Sequence, residues 1–365
     1  MDQYLADSWT LDNTLGVAGY GDHLARLAAE APLPFTLAVT GGGGSGKTSI
    51  LRRAFATLGG RSLNQPIPLS SDVEEWDPGS WLKYYYESSG REEELLWSDR
   101  TKATAAQSIC VWFSPWQHLG VRDMFLCMLR EIRSQFASKI IEVNQIANPN
   151  APSQLGALGG MTALERAIVL AEKLGVCTDT PEEAHSPISY DPNQSHLAVS
   201  DGQRFRLYFE HTISLLIKDL ASKLNFFGVE GGDQVLPDSR LIVFIDDLDR
   251  CPPEVVNDLL LGIQLYASCR RCCFVFAFDE DSVLSVFTGR RPEWTETEGR
   301  QDLRKFFQAL LPVPEADPKK IYSFAKGVLD AHDFPRASDC AREFTSFLEP
   351  NPRIVKTFLN SLCLA

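Results

Sequence analysis

Phe35-Thr36-Leu37-Ala38-Val39-Thr40, Gly41-Gly42-Gly43-Gly44-Ser45-Gly46-Lys47-Thr48 and Ser49-Ile50-Leu51-Arg52-Arg53 follow one another without interruption. They read as a short apolar strand, a glycine-rich loop and the start of a helix. The loop fits Gly-x-x-x-x-Gly-Lys-Ser/Thr, the phosphate-binding P-loop. Phosphate oxygens need backbone N–H groups at close range, and residues without a Cβ let the chain curl that tightly. The helix that follows points its positive dipole end at the anion. Gly41 to Ser49 are therefore the candidate nucleotide-binding set. In that reading Lys47 reaches the β- and γ-phosphates and Thr48 ligates Mg²⁺. A flexible Gly/Ser linker is the alternative. The flanking strand and helix speak against it.

A second stretch answers the first from about 200 residues downstream: Arg240-Leu241-Ile242-Val243-Phe244-Ile245-Asp246-Asp247-Leu248-Asp249-Arg250-Cys251. Five apolar residues running into paired acids make a Walker B strand, buried on both faces. Open α/β sheets place ligands at the carboxyl ends of their strands. Asp246 is the candidate Mg²⁺ residue. Asp247 is placed to polarise an attacking water, and Asp249 competes for that role. A third run, Cys272-Cys273-Phe274-Val275-Phe276-Ala277-Phe278-Asp279, also ends in an acid. Asp279 either senses the γ-phosphate or caps the next helix.

Other segments organise around these strands. Helical periodicity runs from Gly21 to Glu30, where the reading is a packing helix or a base contact. Further helices are expected over Val121–Ile141, Met161–Leu174, Arg204–Leu224 and Pro253–Leu265. Ile109-Cys110-Val111-Trp112-Phe113 is another buried strand, ended at Ser114-Pro115. Residues 59–107 and 142–202 read as polar insertions. The expected organisation is a lead-in (1–34), a nucleotide core (35–314) and a C-terminal helical part (315–365).

A net charge of −13 argues against wholesale wrapping of nucleic acid, while a local basic groove stays open. The nine cysteines suit a reducing compartment. Cys269-Arg270-Arg271-Cys272 has metal or redox spacing without a second ligand pair, so it reads as structural. No secretory signal opens the chain and no apolar run is long enough for a membrane span. A cytoplasmic protein is expected.

The sequence resembles the KAP family of P-loop NTPases. The resemblance rests on the P-loop, on Val111-Trp112-Phe113-Ser114-Pro115-Trp116 (the family tends to Phe-Asn-x-Trp here), and on Ile245-Asp246-Asp247-Leu248-Asp249-Arg250-Cys251. Asp302-Leu303-Arg304-Lys305-Phe306-Phe307-Gln308 and Asn351-Pro352-Arg353 with Phe358-Leu359-Asn360 complete it. It implies a three-layer α/β fold with a parallel sheet in the order 5-1-4-3-2. It also implies ATP and Mg²⁺ as ligands, and a molecular switch working in signalling or phage-exclusion complexes through a protein partner, with self-association open. Many members carry transmembrane helices between the Walker motifs; the polar insertions here point to a soluble, bacterial-type member. By position, Arg250 and Arg353 become candidates for charge stabilisation or for a salt-bridge latch. An ATP-loaded scaffold with little turnover and a small-molecule kinase are the competing functions.

Overall fold

The structure is a computed structural model that describes residues 16, 18–60, 98–121, 123–147, 158–174, 201–226, 235–267, 269–290, 295–331, 341–348 and 351–364. Most of both insertions, the stretch Asp12–Leu15, Cys177 and Cys340 lie outside the described residues.

Among the described residues five strands make the sheet: β1 (Phe35–Thr40), β2 (Ile109–Phe113), β3 (Leu241–Ile245), β4 (Cys272–Phe278) and β5 (Ala309–Pro312). All neighbours are parallel, and the spatial order is β2-β3-β4-β1-β5. That is the expected order, with β4 inserted between the two Walker strands.

Each central strand is apolar at every position because both of its faces are covered. Side chains alternate between the faces. Leu241, Val243 and Ile245 enter one core, while Ile242 and Phe244 enter the other. Phe274, Phe276 and Phe278 likewise oppose Cys273, Val275 and Ala277.

One face carries α4 (Met124–Ala147), α5 (Gly159–Leu174), α6 (Asp201–Phe226), α7 (Pro253–Gly262), α8 (Glu280–Arg290) and α9 (Glu296–Phe306). The other carries α1 (Ala18–Glu30), α2 (Lys47–Thr57) and α3 (Asp99–Ala106). On that side Phe55 of α2 meets Trp112 and Phe244 edge-on, each at 5.5 Å between ring centroids. Such pairs add roughly 0.5–1.5 kcal/mol beyond their burial and fix α2 to the sheet. Helix α1 packs against α2. Its Asp22 takes two hydrogen bonds from Arg53 at 3.0 and 2.7 Å, and Arg240 donates to Ala31 O at 2.7 Å.

Three local expectations change. The 59–107 insertion ends in a regular helix, α3, whose Ser98 side chain accepts from Thr101 N. The helix expected to reach Leu265 stops at Gly262 and continues as a π turn, Ile263–Ala267. The family-like stretch Asp302–Gln308 divides between elements: α9 starts at a Thr295–Glu298 capping box and ends at Phe306, and β5 begins three residues later.

After β5, helices α10 (Pro318–Ala331), α11 (Ala341–Phe347) and α12 (Pro352–Leu364) pack around their own core of Ile321, Ala325, Leu329, Ala341, Val355 and Leu359. No helix among the described residues is long and apolar enough to cross a membrane.

Candidate nucleotide site

Strand register brings the candidate residues to one edge. Phe113 pairs with Ile245, Ile245 with Phe276, and Thr40 with Phe278. Ser114, Asp246, Asp279 and Gly41 thus leave the sheet side by side at its carboxyl end. Gly41 N donates to Phe278 O at 3.4 Å, which starts the loop against β4.

Glycine is required at two loop positions for separate reasons. Gly46 caps α2 with φ of 101°, a left-handed value that residues with a Cβ rarely adopt. Gly44, at φ of +79°, is also crowded: a Cβ there would stand 2.5 Å from Arg353 Cβ and 2.8 Å from Asn351 Oδ1. By contrast a Cβ at Gly42, Gly43 or Gly46 would meet nothing within 4 Å, so the loop borders open space. Ser45 Oγ is buried with no hydrogen-bond partner among the described residues.

Lys47 folds back over the loop. Its Nζ donates to Gly41 O at 2.7 Å and Gly42 O at 3.1 Å, and lies 3.7 Å from Asp249 Oδ2. Asp246 is 4% exposed. Burial, and then the neighbouring Asp247 carboxylate, push its carboxyl up to about 6, against a hydrogen bond with Thr48 that favours the charged form. A buried carboxylate at the end of β3 beside the Thr48 hydroxyl at the start of α2 is an oxygen donor set suited to Mg²⁺. The orphaned Ser45 hydroxyl and the open space over Gly42 and Gly43 fit a phosphate chain. These residues therefore fit a nucleotide with its metal.

Asp247 takes left-handed backbone, φ 58° and ψ 28°, unusual for a residue with a side chain. Oδ1 pairs with Arg250 Nε at 2.9 Å, and Ser114 Oγ lies 3.5 Å from Oδ2. Arg250 is 52% exposed, and its ion pair to Asp247 is the latch-like arrangement. Asp249 accepts from Asp279 N at 3.2 Å and faces Lys47, tying β3, β4 and the P-loop together. Asp279 itself accepts from Ser282 N at 3.1 Å, the geometry of a helix cap.

The C-terminal helices close the other side. Asn351 Nδ2 donates to Gly43 O at 2.8 Å, and Asn351 Oδ1 accepts from Arg353 N at 3.0 Å. Arg353 thereby lies against Gly44. Three contributors escaped sequence reasoning. Ser114 is marked only as a polar residue directly after a buried strand. Asn351 stands in the Asn-Pro-Arg run but was given no role of its own. Arg52 lies with its guanidinium 3.6 Å over the Trp112 ring and acts on Asp246 through its charge; nothing in the linear sequence pairs them.

Cys269 and Cys272 bring their Sγ atoms 3.4 Å apart inside the core, with no metal-holding cluster around them among the described residues. No curated protein matches the sequence. The model of the KAP family P-loop domain matches residues 18–364. With that match over nearly its whole length, and with the parallel five-stranded sheet and P-loop described above, the chain belongs to the KAP family of P-loop NTPases.

Proposed function

We propose that this chain is a Mg²⁺-dependent ATP-binding and ATP-hydrolysing switch that reports its nucleotide state through the C-terminal helices. The observation that carries the reading is the bond from Asn351 to the carbonyl of Gly43. It joins the helical part (residues 315–365) to the loop that would hold the phosphates. A change in that loop has a direct route to α12.

The roles follow from position. Lys47 exchanges the carbonyls of Gly41 and Gly42 for the β- and γ-phosphate oxygens, a stronger charge-assisted pairing. Thr48 and Asp246 hold Mg²⁺, which when bound neutralises charge on the phosphates. Asp247 is the first candidate to orient the attacking water and Asp249 the second. Arg250 and Arg353 carry the charge that stabilises the transferring phosphoryl group, or lock the two parts together. Asp279 holds the start of α8 and, through its amide, the position of Asp249. The switch acts on a protein partner, and signalling or phage defence is the setting that suits it. Calorimetric titration with ATP·Mg²⁺ at micromolar protein tests the core of this reading. Binding that is lost in Lys47→Ala supports it; no binding to the unaltered chain overturns it.

One observation favours the scaffold alternative. Both candidate bases are already engaged, Asp247 with Arg250 and Asp249 with Lys47. Single-turnover hydrolysis separates the two readings. Rates that drop in Asp247→Asn or Asp249→Asn favour the switch, and rates equal to the unaltered chain favour the scaffold.

A further inference from the structure

The edge of the sheet opposite the P-loop borders an open cavity of about 450 Å³. Its walls include Arg240, Arg270 and Arg271 together with Glu30, Glu210 and Asp238. The formal charges balance, but the hydrogen bonds do not pair them.

The carboxylates are largely taken by groups other than these arginines. Asp238 pairs with Arg100, and Glu30 with Arg26 at 3.1 Å and the Thr101 hydroxyl at 2.7 Å. The arginines, in turn, lean on neutral carbonyls. Arg240 is only 2% exposed, yet it donates to Asp238 O at 2.7 Å, Ala31 O at 2.7 Å and Ala28 O at 3.3 Å. Its Nη2 hydrogen-bonds to nothing among the described residues. Arg271 Nη1 donates to Ser239 O at 2.8 Å and Leu236 O at 3.3 Å. Arg270 is 86% exposed, and its nearest carboxylate oxygen, on Glu210, is 4.0 Å away.

Two features show that this arrangement has a cost. A guanidinium buried without an ion pair gives up hydration that carbonyls replace incompletely; burial accordingly lowers the pKa of Arg240. Arg271 also sits at φ 69°, left-handed backbone that residues with a side chain rarely adopt. The turn between Ala267 and β4 thus holds two consecutive arginines beside a third, buried one. A bound anion would offset the desolvation of Arg240.

We propose that this cavity binds a small phosphorylated molecule, at a second site on the edge of the sheet opposite the P-loop. With Nε and Nη1 of Arg240 and Nη1 of Arg271 already on carbonyls, the donors left at the cavity are Arg240 Nη2, the rest of the Arg271 guanidinium and the exposed Arg270 fork, which together suit the several oxygens of a phosphate. The volume falls within the range of small-molecule pockets, so it takes a nucleotide-sized ligand.

Pyrophosphate, titrated calorimetrically into the full chain carrying Lys47→Ala, tests the site with the P-loop weakened. One equivalent is expected to bind. Adding Arg270→Glu to that background is expected to weaken binding by roughly tenfold or more, since an attractive charge becomes a repulsive one. Arg270 is exposed, so the melting temperature should hold. Arg271→Gln in the same background reports on a second fork, with its melting curve recorded alongside. No binding in Lys47→Ala overturns the proposal. So does binding that survives Arg270→Glu unchanged, because the anion would then sit elsewhere.

Discussion

Strands β3 and β4 enter the sheet from arginines and leave it into aspartates. Arg240 and Arg271 stand directly before them, Asp246 and Asp279 directly after. The two ends of β3 are separated by about 20 Å of extended chain. Both ends bury a charged side chain, but they satisfy it differently. A guanidinium carries five donors and can be served by loop carbonyls; Arg240 uses three of them. An ionised carboxylate can only accept. Asp246 has the Thr48 hydroxyl and the Asp247 backbone to lean on, beside an acidic neighbour that repels it. The entry edge is mostly completed by the fold. The exit edge leaves a buried carboxylate whose charge the fold balances less fully.

The comparison breaks most visibly at Lys47. Lys47→Ala should lower ATP·Mg²⁺ affinity by a factor of roughly 10² or more, because a preorganised charge on the phosphates is removed. Pyrophosphate binding at the entry edge should survive, and calorimetry on the one variant reads both.

Asp246 gives the next largest effect, and its sign is informative. A carboxyl raised to about 6 by burial binds its proton more tightly in the folded chain than in the unfolded one. The nucleotide-free fold should therefore gain stability as pH falls from about 6 towards about 4, and be penalised above that window. Asp246→Asn should raise stability at pH 7.5 by up to about 3 kcal/mol and flatten this dependence. Denaturant melts across pH 4–8 measure both. The same variant should lose Mg²⁺-dependent tightening of ATP binding.

Asn351→Ala should cost about 1 kcal/mol of contact between α12 and the loop. Limited proteolysis should then cut the C-terminal helices at similar rates with and without ATP, whereas the unaltered chain should be protected by nucleotide. The smallest effect on stability is expected at Arg250. Its pair with Asp247 is half exposed, so Arg250→Gln should change the melting free energy by less than about 0.5 kcal/mol. A large fall in single-turnover hydrolysis in that variant would assign Arg250 to catalysis; an unchanged rate would leave it a latch.

Much of the nucleotide edge was legible because its signals are local. A glycine loop between a strand and a helix, and a strand that ends in acids, each fit within twenty residues. The register that aligns them follows from parallel strands buried on both faces. Contacts across the chain were not legible. Asn351 reaches Gly43 over 308 positions, and no periodicity marks such a pair. Strand β5 hid because it has four residues, ends in proline and follows an amphipathic helix without a turn signal. Helix α3 hid behind a long polar segment. The arginine cavity left no motif, since it gathers single residues from α1, α6 and the entries to β3 and β4. Cys269 and Cys272 have metal or redox spacing but read as structural for want of a second ligand pair, and they pack inside the core.

The clasp of Gln135 on Trp112 concerns how copies of this protein can meet. Among the described residues β2 is an outer strand, and its outward N–H and C=O groups would normally invite another strand to add. Gln135, from α4, accepts from Trp112 N at 2.8 Å and donates to Trp112 O at 2.6 Å, mimicking a neighbouring peptide. At the opposite margin Pro312 supplies no donor at all. The sheet is thus discouraged from lengthening at both margins, which guards against intermolecular β-pairing in the crowded cell.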